Sequence, residues 1–265
     1  MSVPRCLTIA SSDSGGGAGI QADLKAFARL GCYGTSAIVA LTAQNTREVT
    51  AVHEAPPEFV RAELKAIVSD IGVDAAKTGM LFSRTIIETV ATGLAAYPMA
   101  LVVDPVMVAA SGAQLLQNDA VETLKKLLFP LAAVITPNLY EACALLGVPY
   151  REDADRQELA EALYALGPRA VVVTGGHGAD AVDWLYDGEI HTPISVVHYR
   201  DAATHGAGCT HSASLCAFLA RGESLEDAAR HAAKVASDAV RDGLADIGSG
   251  IGPVDVFGLE SRAAQ

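Results

Sequence analysis

An α/β protein built on a mostly parallel sheet, with helices on both faces, is the fold class this sequence predicts. Three observations carry that expectation. Strand and helix signals alternate from one end of the chain to the other. The strand candidates are short apolar runs of the kind buried on both faces. Residues with chemical potential follow strand ends, namely Asp13, Gln44, Lys77, Asp104, Asn138, Glu141, Gly175 and Gly176, and open α/β sheets bind ligands there.

Taken in order, Arg5 to Ala10 is a short apolar strand, followed by a Ser/Asp/Gly loop. Gly19 to Leu30 reads as a helix with Ile20, Leu24, Phe27 and Ala28 on one face. Gly34 to Thr42 is β-branched and apolar, a buried strand. Val60, Leu64, Ile67, Val68 and Ile71 keep helical spacing, and Pro56-Pro57 precede them where a helix start tolerates proline. Asp74 to Thr78, Ala100 to Asp104, Ala132 to Thr136 and Ala170 to Thr174 read as interior strands, with Leu159, Ala162, Leu163 and Leu166 marking a helix between the last two. Val182 to Tyr186 and Ile190 to Val197 form a more polar antiparallel pair turned at Asp187-Gly188. Two helices follow, Cys209 to Ala220 and Leu225 to Arg241. The polar run Arg151 to Glu158 reads as a solvated loop and helix start rather than a linker, and no repeat occurs, so residues 1–265 are expected to form one domain.

Hydrophobic residues make up 51% of the chain, enough for a large core, and the formal net charge is -12. That balance argues against nucleic acid as a partner, since such binding rests on a basic face. Nucleotides stay open, because local N–H groups and Mg²⁺ offset a global negative field. The five cysteines (Cys6, Cys32, Cys143, Cys209 and Cys216) are odd in number and form no C-x-x-C pair. A reducing cytoplasm is the expected setting. No signal-peptide pattern opens the chain and no apolar run reaches bilayer length, so no membrane partner is expected.

The most informative stretch is Thr204-His205-Gly206-Ala207-Gly208-Cys209-Thr210, directly before an alanine-rich helix. A glycine loop at a helix start aims several N–H groups at one spot, at the positive end of the helix dipole, and such a spot holds phosphate. Cys209 falls on the first turn, where a thiol pKa is expected to be pulled down. The other four cysteines read as small buried apolar residues. The loop Ser11 to Gly19 fails the dinucleotide spacing, because Ile20 stands where G-x-G-x-x-G needs its third glycine, and Gly34 to Gln44 holds no ribose-gripping acid. No G-K-[ST] occurs, so a P-loop is excluded. What remains is a glycine loop that lets a ligand approach the backbone, or a tight strand-to-helix turn.

Asp104, before Pro105, is either a turn-initiating carboxylate or a holder of hydrated Mg²⁺. Asn138 and Glu141 make an ordinary capping box, the reading that sequence physics alone favours; a metal role for Glu141 gains only from its place beside Asp104 on a neighbouring strand end. His205, Cys209 and His211 make a poor transition-metal set, since positions 209 and 211 diverge on a helix. His177 reads as a loop hydrogen-bonder. Met80 and Val106 are core unless a pocket lies there.

Together these motifs resemble the hydroxymethylpyrimidine and phosphomethylpyrimidine kinases of thiamine biosynthesis, a branch of the ribokinase-like superfamily. The resemblance spans the chain through Ser12 to Lys25, Leu41 to Thr46, Lys77 to Leu81, Val103 to Met107, Thr136 to Ala142, Thr174 to His177 and Thr204 to Thr210. It implies a ribokinase-like three-layer sandwich with a small β lid, usually a homodimer. It also implies phosphorylation of a hydroxymethyl group and then of the resulting monophosphate from Mg·ATP. By the same resemblance Cys209 is the base, where most of the superfamily carries aspartate, and Gly206, Ala207 and Gly208 form the anion hole with it. Gln44 meets the aminopyrimidine edge, Met80 and Val106 pack on the ring, and Ala18 and Asp23 lie near it. Asp104 and Glu141 hold Mg²⁺, while Asn138, Thr174 and Lys234 sit by ATP. Two departures stand out: Thr174 where many relatives have lysine, and Ala203 where many have asparagine. Both bear on ATP affinity.

The nearest rival is a pyridoxal kinase, whose substrate is also a flat nitrogen heterocycle with a hydroxymethyl group. A sugar or nucleoside kinase would call for aspartate at position 209. A dinucleotide oxidoreductase conflicts with the broken glycine spacing, and a catalytically silent vitamin-binding module would leave the base idle.

Overall fold

Alternate residues of the strands face two separate helix layers. In the computed structural model, which describes residues 2–108, 112, 115–117, 119–175, 182–197, 199 and 203–259, nine strands form one sheet in the order β3-β2-β1-β4-β5-β6-β7-β8-β9. They are β1 (Arg5–Asp13), β2 (Tyr33–Gln44), β3 (Val49–Glu54), β4 (Ala75–Thr78), β5 (Ala100–Val103), β6 (Val134–Ile135), β7 (Val171–Val173), β8 (Val182–Tyr186) and β9 (His191–Ser195). Every pairing from β2 through β7 is parallel; β3, β8 and β9 pair antiparallel at the two edges.

The helices are α1 (Gly19–Arg29), α2 (Pro57–Ala66), α3 (Arg84–Leu94), α4 (Ala120–Leu127), α5 (Leu139–Leu146), α6 (Arg156–Tyr164), α7 (Ala207–Ala220) and α8 (Leu225–Arg241). Leu7, Ile9, Val103, Ile135, Val171 and Val173 pack with α2 to α6, whereas Cys6, Ala75, Val102, Val134 and Val172 pack with α1, α7 and α8. This period-2 division of each strand between two cores makes three layers.

Three features differ from the sequence reading. Strand β1 runs on through Ser11 and Ser12 to Asp13, so the first loop is only the turn before α1. Helix α2 ends in a π-helical turn, Ile67–Ile71, rather than continuing regularly. Strand β3, which the sequence reading does not place, is an edge strand beside Gln44 that extends the central sheet next to the site. The expected antiparallel pair at positions 182–197 is present. Gly176 and His177 lie outside the described residues. Among the described residues no helix is long and apolar enough to cross a membrane.

Candidate active site

The carboxyl ends of β1, β2, β4, β5, β6 and β7 open into a cavity of about 650 Å³, closed on the other side by α7 and α8. Cys209, Gly206, Ala207, Gly208, Gln44, Ala18, Met80, Val106, Asn138, Thr174, Asp104 and Glu141 all line it. The chain therefore gathers residues from across its length at the place the strand-end argument predicts.

The glycine loop before α7 forms the cradle. Gly206 is the left-handed N-cap, and the helix opens at Ala207. The Ala207 N–H is already donated to the Thr204 carbonyl (3.1 Å), so it adds little to an anion hole. Among the described residues the N–H groups of Gly206, Gly208 and Cys209 have no such partner, and they are the donors left for an anion.

Cys209 departs from expectation. Its thiol is pushed up to about 12, not down: burial is the main cause, Asp23 and Asp104 add to it, and Lys77 and the Gly19 N–H pull the other way. The helix start does not outweigh desolvation here.

Beneath the thiol lies a lysine that the sequence reading placed at a strand end without a role. Lys77 is fully buried, 2.8 Å from Asp23 and 3.7 Å from Asp104. Burial opposes its charge, but Asp23, Cys209 and Asp104 outweigh burial and keep it protonated. Asp23 is itself fully buried and also accepts a hydrogen bond from the Thr8 hydroxyl (2.6 Å). Asp23 thus holds Lys77 rather than lining the substrate wall, because both its carboxylate oxygens are spent below the cavity floor.

Asp104 accepts from the Ser212 hydroxyl at 2.7 Å, and burial raises its pKa despite Lys77. Glu141 completes the capping box: its backbone N–H donates to the Asn138 side chain (2.9 Å) and its carboxylate accepts from the Asn138 N–H (3.0 Å). Burial, with the charge of Asp104, lifts Glu141 to about 8. The capping and metal readings are thus compatible. Two buried carboxylates, one of which raises the proton affinity of the other, fit a divalent cation that keeps waters and takes further oxygens from phosphate. Among the described residues no group of three or more His, Cys, Asp or Glu side chains is placed to hold a metal ion.

Gln44 lines the cavity. Its side-chain oxygen accepts from Thr42 (3.0 Å), so the amide hydrogens, not the full acceptor–donor face, remain for a ligand. Met80, with the Ser11 hydroxyl 3.3 Å from its sulfur, packs with Ala40 and Leu115, and Val106 rests against them. Leu115 is part of this apolar wall, and no sequence signal had singled it out. Thr174 donates its N–H to the Pro137 carbonyl (2.9 Å), which joins the ends of β6 and β7.

Lys234 does not reach the cavity. Helix α8 lines it with Ala233, Ala236, Ser237 and Val240, while Lys234 projects from the flank and pairs with Asp238 at 2.8 Å, 72% exposed. At the other end of the cavity His211 is buried with both ring nitrogens unpaired, and burial lowers its pKa to about 4. The Asp183 carboxylate, 3.8 Å away, is raised to about 6 by burial.

A family profile described as phosphomethylpyrimidine kinase matches residues 13–255. The hydroxymethylpyrimidine/phosphomethylpyrimidine kinase of Streptomyces coelicolor is 46% identical over 253 residues, which covers 95% of this chain and 94% of that protein. The thiamine biosynthesis bifunctional protein ThiED of Geobacter sulfurreducens is 47% identical over 94% of this chain, and the chain spans about half (51%) of its length. Among solved structures, an ADP complex of Bacillus subtilis pyridoxal kinase superposes with a TM-score of 0.90 at 38% identity, covering 98% of this chain and 99% of that one. With its ribokinase-like sheet, its cradle before α7 and these likenesses, the chain is a kinase and belongs to the phosphomethylpyrimidine kinase family.

Proposed function

We propose that this chain transfers the γ-phosphoryl group of ATP to the hydroxymethyl group of 4-amino-5-hydroxymethyl-2-methylpyrimidine, and then phosphorylates the resulting monophosphate, in thiamine biosynthesis. The observation that carries the reading is one cavity holding Gln44, the Met80–Val106 wall, the Cys209 thiol and the cradle amides together. The Gln44 amide hydrogens meet acceptor nitrogens of the ring, and Met80 and Val106 cover its face. This leaves the hydroxymethyl group directed at Cys209.

Cys209 takes the hydroxyl proton as the substrate oxygen forms its bond to the γ-phosphorus and the bond to the β-phosphate oxygen breaks, releasing ADP. The Gly206, Gly208 and Cys209 amides stabilise the equatorial oxygens. Asp104 and Glu141 would hold Mg²⁺, which neutralises phosphate charge when bound. To take that proton Cys209 must be in its thiolate form, which Lys77 and the Gly19 N–H favour while burial, Asp23 and Asp104 oppose it more strongly and raise the thiol to about 12. Since phosphoryl transfer passes through a loose transition state, positioning and electrostatics carry most of the rate. Asn138 and Thr174, on adjacent strand ends, border the ATP phosphates.

Cys209→Ala is expected to lower kcat by about 10²–10⁴-fold with ADP affinity within about twofold, as for loss of a general base; near-normal turnover would remove Cys209 from that role. A steady-state comparison of hydroxymethylpyrimidine, its monophosphate and pyridoxal measures substrate choice in the same preparation. The TM-score of 0.90 to a pyridoxal kinase favours pyridoxal as the second substrate to test. We read residues 1–265 as one kinase domain acting in the cytoplasm as a homodimer, with light scattering of the purified chain as the test of assembly.

A further inference from the structure

Asp13 ends β1 with its carboxylate turned inward, 2% exposed. One oxygen accepts from the Gly15 N–H (2.7 Å); the other accepts from the N–H groups of Gly17 (3.1 Å) and Ala18 (2.8 Å). That second oxygen also lies 3.1 Å from His205 Nε2, across 192 residues of sequence. A carboxylate in this setting is acceptor-only, so Nε2 carries the hydrogen. Burial opposes the Asp13 charge, yet His205 and the loop amides prevail and hold its carboxyl below the usual range.

The two loops also meet backbone to backbone. A Cβ at Gly17 would lie 2.2 Å from the His205 ring, and one at Gly206, where φ is +87°, would lie 1.8 Å from the Gly17 carbonyl oxygen. A C-terminal strap backs this junction. The His205 N–H donates to the Gly252 carbonyl (3.1 Å), and the His205 carbonyl accepts from Val254 (3.0 Å). The strap also grips the segment after Gln44, where Ile251 N–H donates to the Thr46 carbonyl (3.0 Å) and Gly250 N–H to its hydroxyl (3.2 Å).

We propose that Asp13 and His205 are positioning residues: their contact latches the glycine turn before α1 to the phosphate cradle, and so sets where the acceptor hydroxyl stands relative to the migrating phosphoryl group. The catalytic part of this inference rests on the function proposed above. The mechanical part, coupling between two loops, does not. Misplacement of a reacting group by about 1 Å costs on the order of 10²-fold in rate, and hydrogen-bonded neighbours of this kind couple non-additively.

The test uses the full chain with Asp13→Asn, His205→Ala, the double variant and the conservative His205→Gln, which keeps a donor. In hydrogen exchange, His205→Ala is expected to speed exchange in residues 14–19 by about tenfold or more, and Asp13→Asn to do the same in residues 203–210. In kinetics each single change is expected to lower kcat about 10- to 100-fold with ADP affinity within threefold; the double variant is no worse than the poorer single, and His205→Gln recovers most of the loss. Exchange confined to the mutated loop, or losses that multiply in the double variant, would overturn the latch. If Asp13→Asn does not fold, exchange in His205→Ala against His205→Gln decides alone. If the wild-type chain does not phosphorylate the pyrimidine, the function reading fails, while the exchange data still report on the latch.

Discussion

Under β1, β4 and β5, the buried charged side chains are paired before any ligand arrives. Asp13 accepts from three loop amides and faces His205, and Lys77 lies between Asp23 and Asp104. Around the ends of β6 to β8, several buried polar groups have no partner. Both nitrogens of His211, the Nε of Arg156 and the hydroxyl of Thr136 are buried without a hydrogen-bond partner. Asp183 at this end accepts the Gly175 N–H (3.1 Å), but its 3.8 Å contact with His211 is not ionic, because burial keeps that ring neutral at pH 7. A preorganised end suits the acceptor, whose hydroxyl must be aimed. An end with unspent donors suits a polar ligand that arrives and leaves, as a nucleotide does.

The sharpest way to break this comparison is Lys77→Met. Leaving Asp23 and Asp104 without their cation is expected to cost roughly 3–5 kcal/mol of stability, whereas the pairwise Asp23→Leu/Lys77→Met change recovers most of it. Denaturant unfolding measures both, and a single-variant loss under about 1 kcal/mol would show the ion pair to be dispensable. A smaller effect of opposite sign is expected at the other end. His211→Leu removes two unpaired buried nitrogens and should stabilise the free enzyme by about 1 kcal/mol. A loss of that size in the same melt would mean that the ring has a partner in the free state. The smallest effect belongs to Lys234→Ala, expected to change stability by less than about 0.5 kcal/mol because its ion pair is exposed. Calorimetric ADP titration should leave affinity unchanged, and a clear loss would return Lys234 to the site.

Much of the fold was legible because buried parallel strands write themselves as apolar runs between amphipathic helices. Strand β3 was not, since its residues are half-buried or exposed and only Val49 and Val52 touch a core cluster. Helix α3 carries a signal of its own: Ser83 caps it, and Ile86, Ile87, Val90, Ala91 and Leu94 keep helical spacing on its buried face. At the site, local chemistry was readable and long-range electrostatics was not. The Gly206–Gly208 loop announces a cradle by itself. The partnership of Lys77 with Asp23 spans 54 residues, and the thiol's upward shift depends on groups that only folding brings together. Lys234 stands outside the cavity for a related reason: helical periodicity at 225–241 sets which face is buried, and position 234 lies off it.

The strap that clasps His205 through Gly252 and Val254 has a consequence for biogenesis. A nascent chain leaving the ribosome presents the glycine turn at residues 14–19 well before His205 and the strap at Gly252 to Val254 that complete that turn's lock. The lock therefore closes only after every strand of the described sheet has been synthesised, since β9 ends at Ser195.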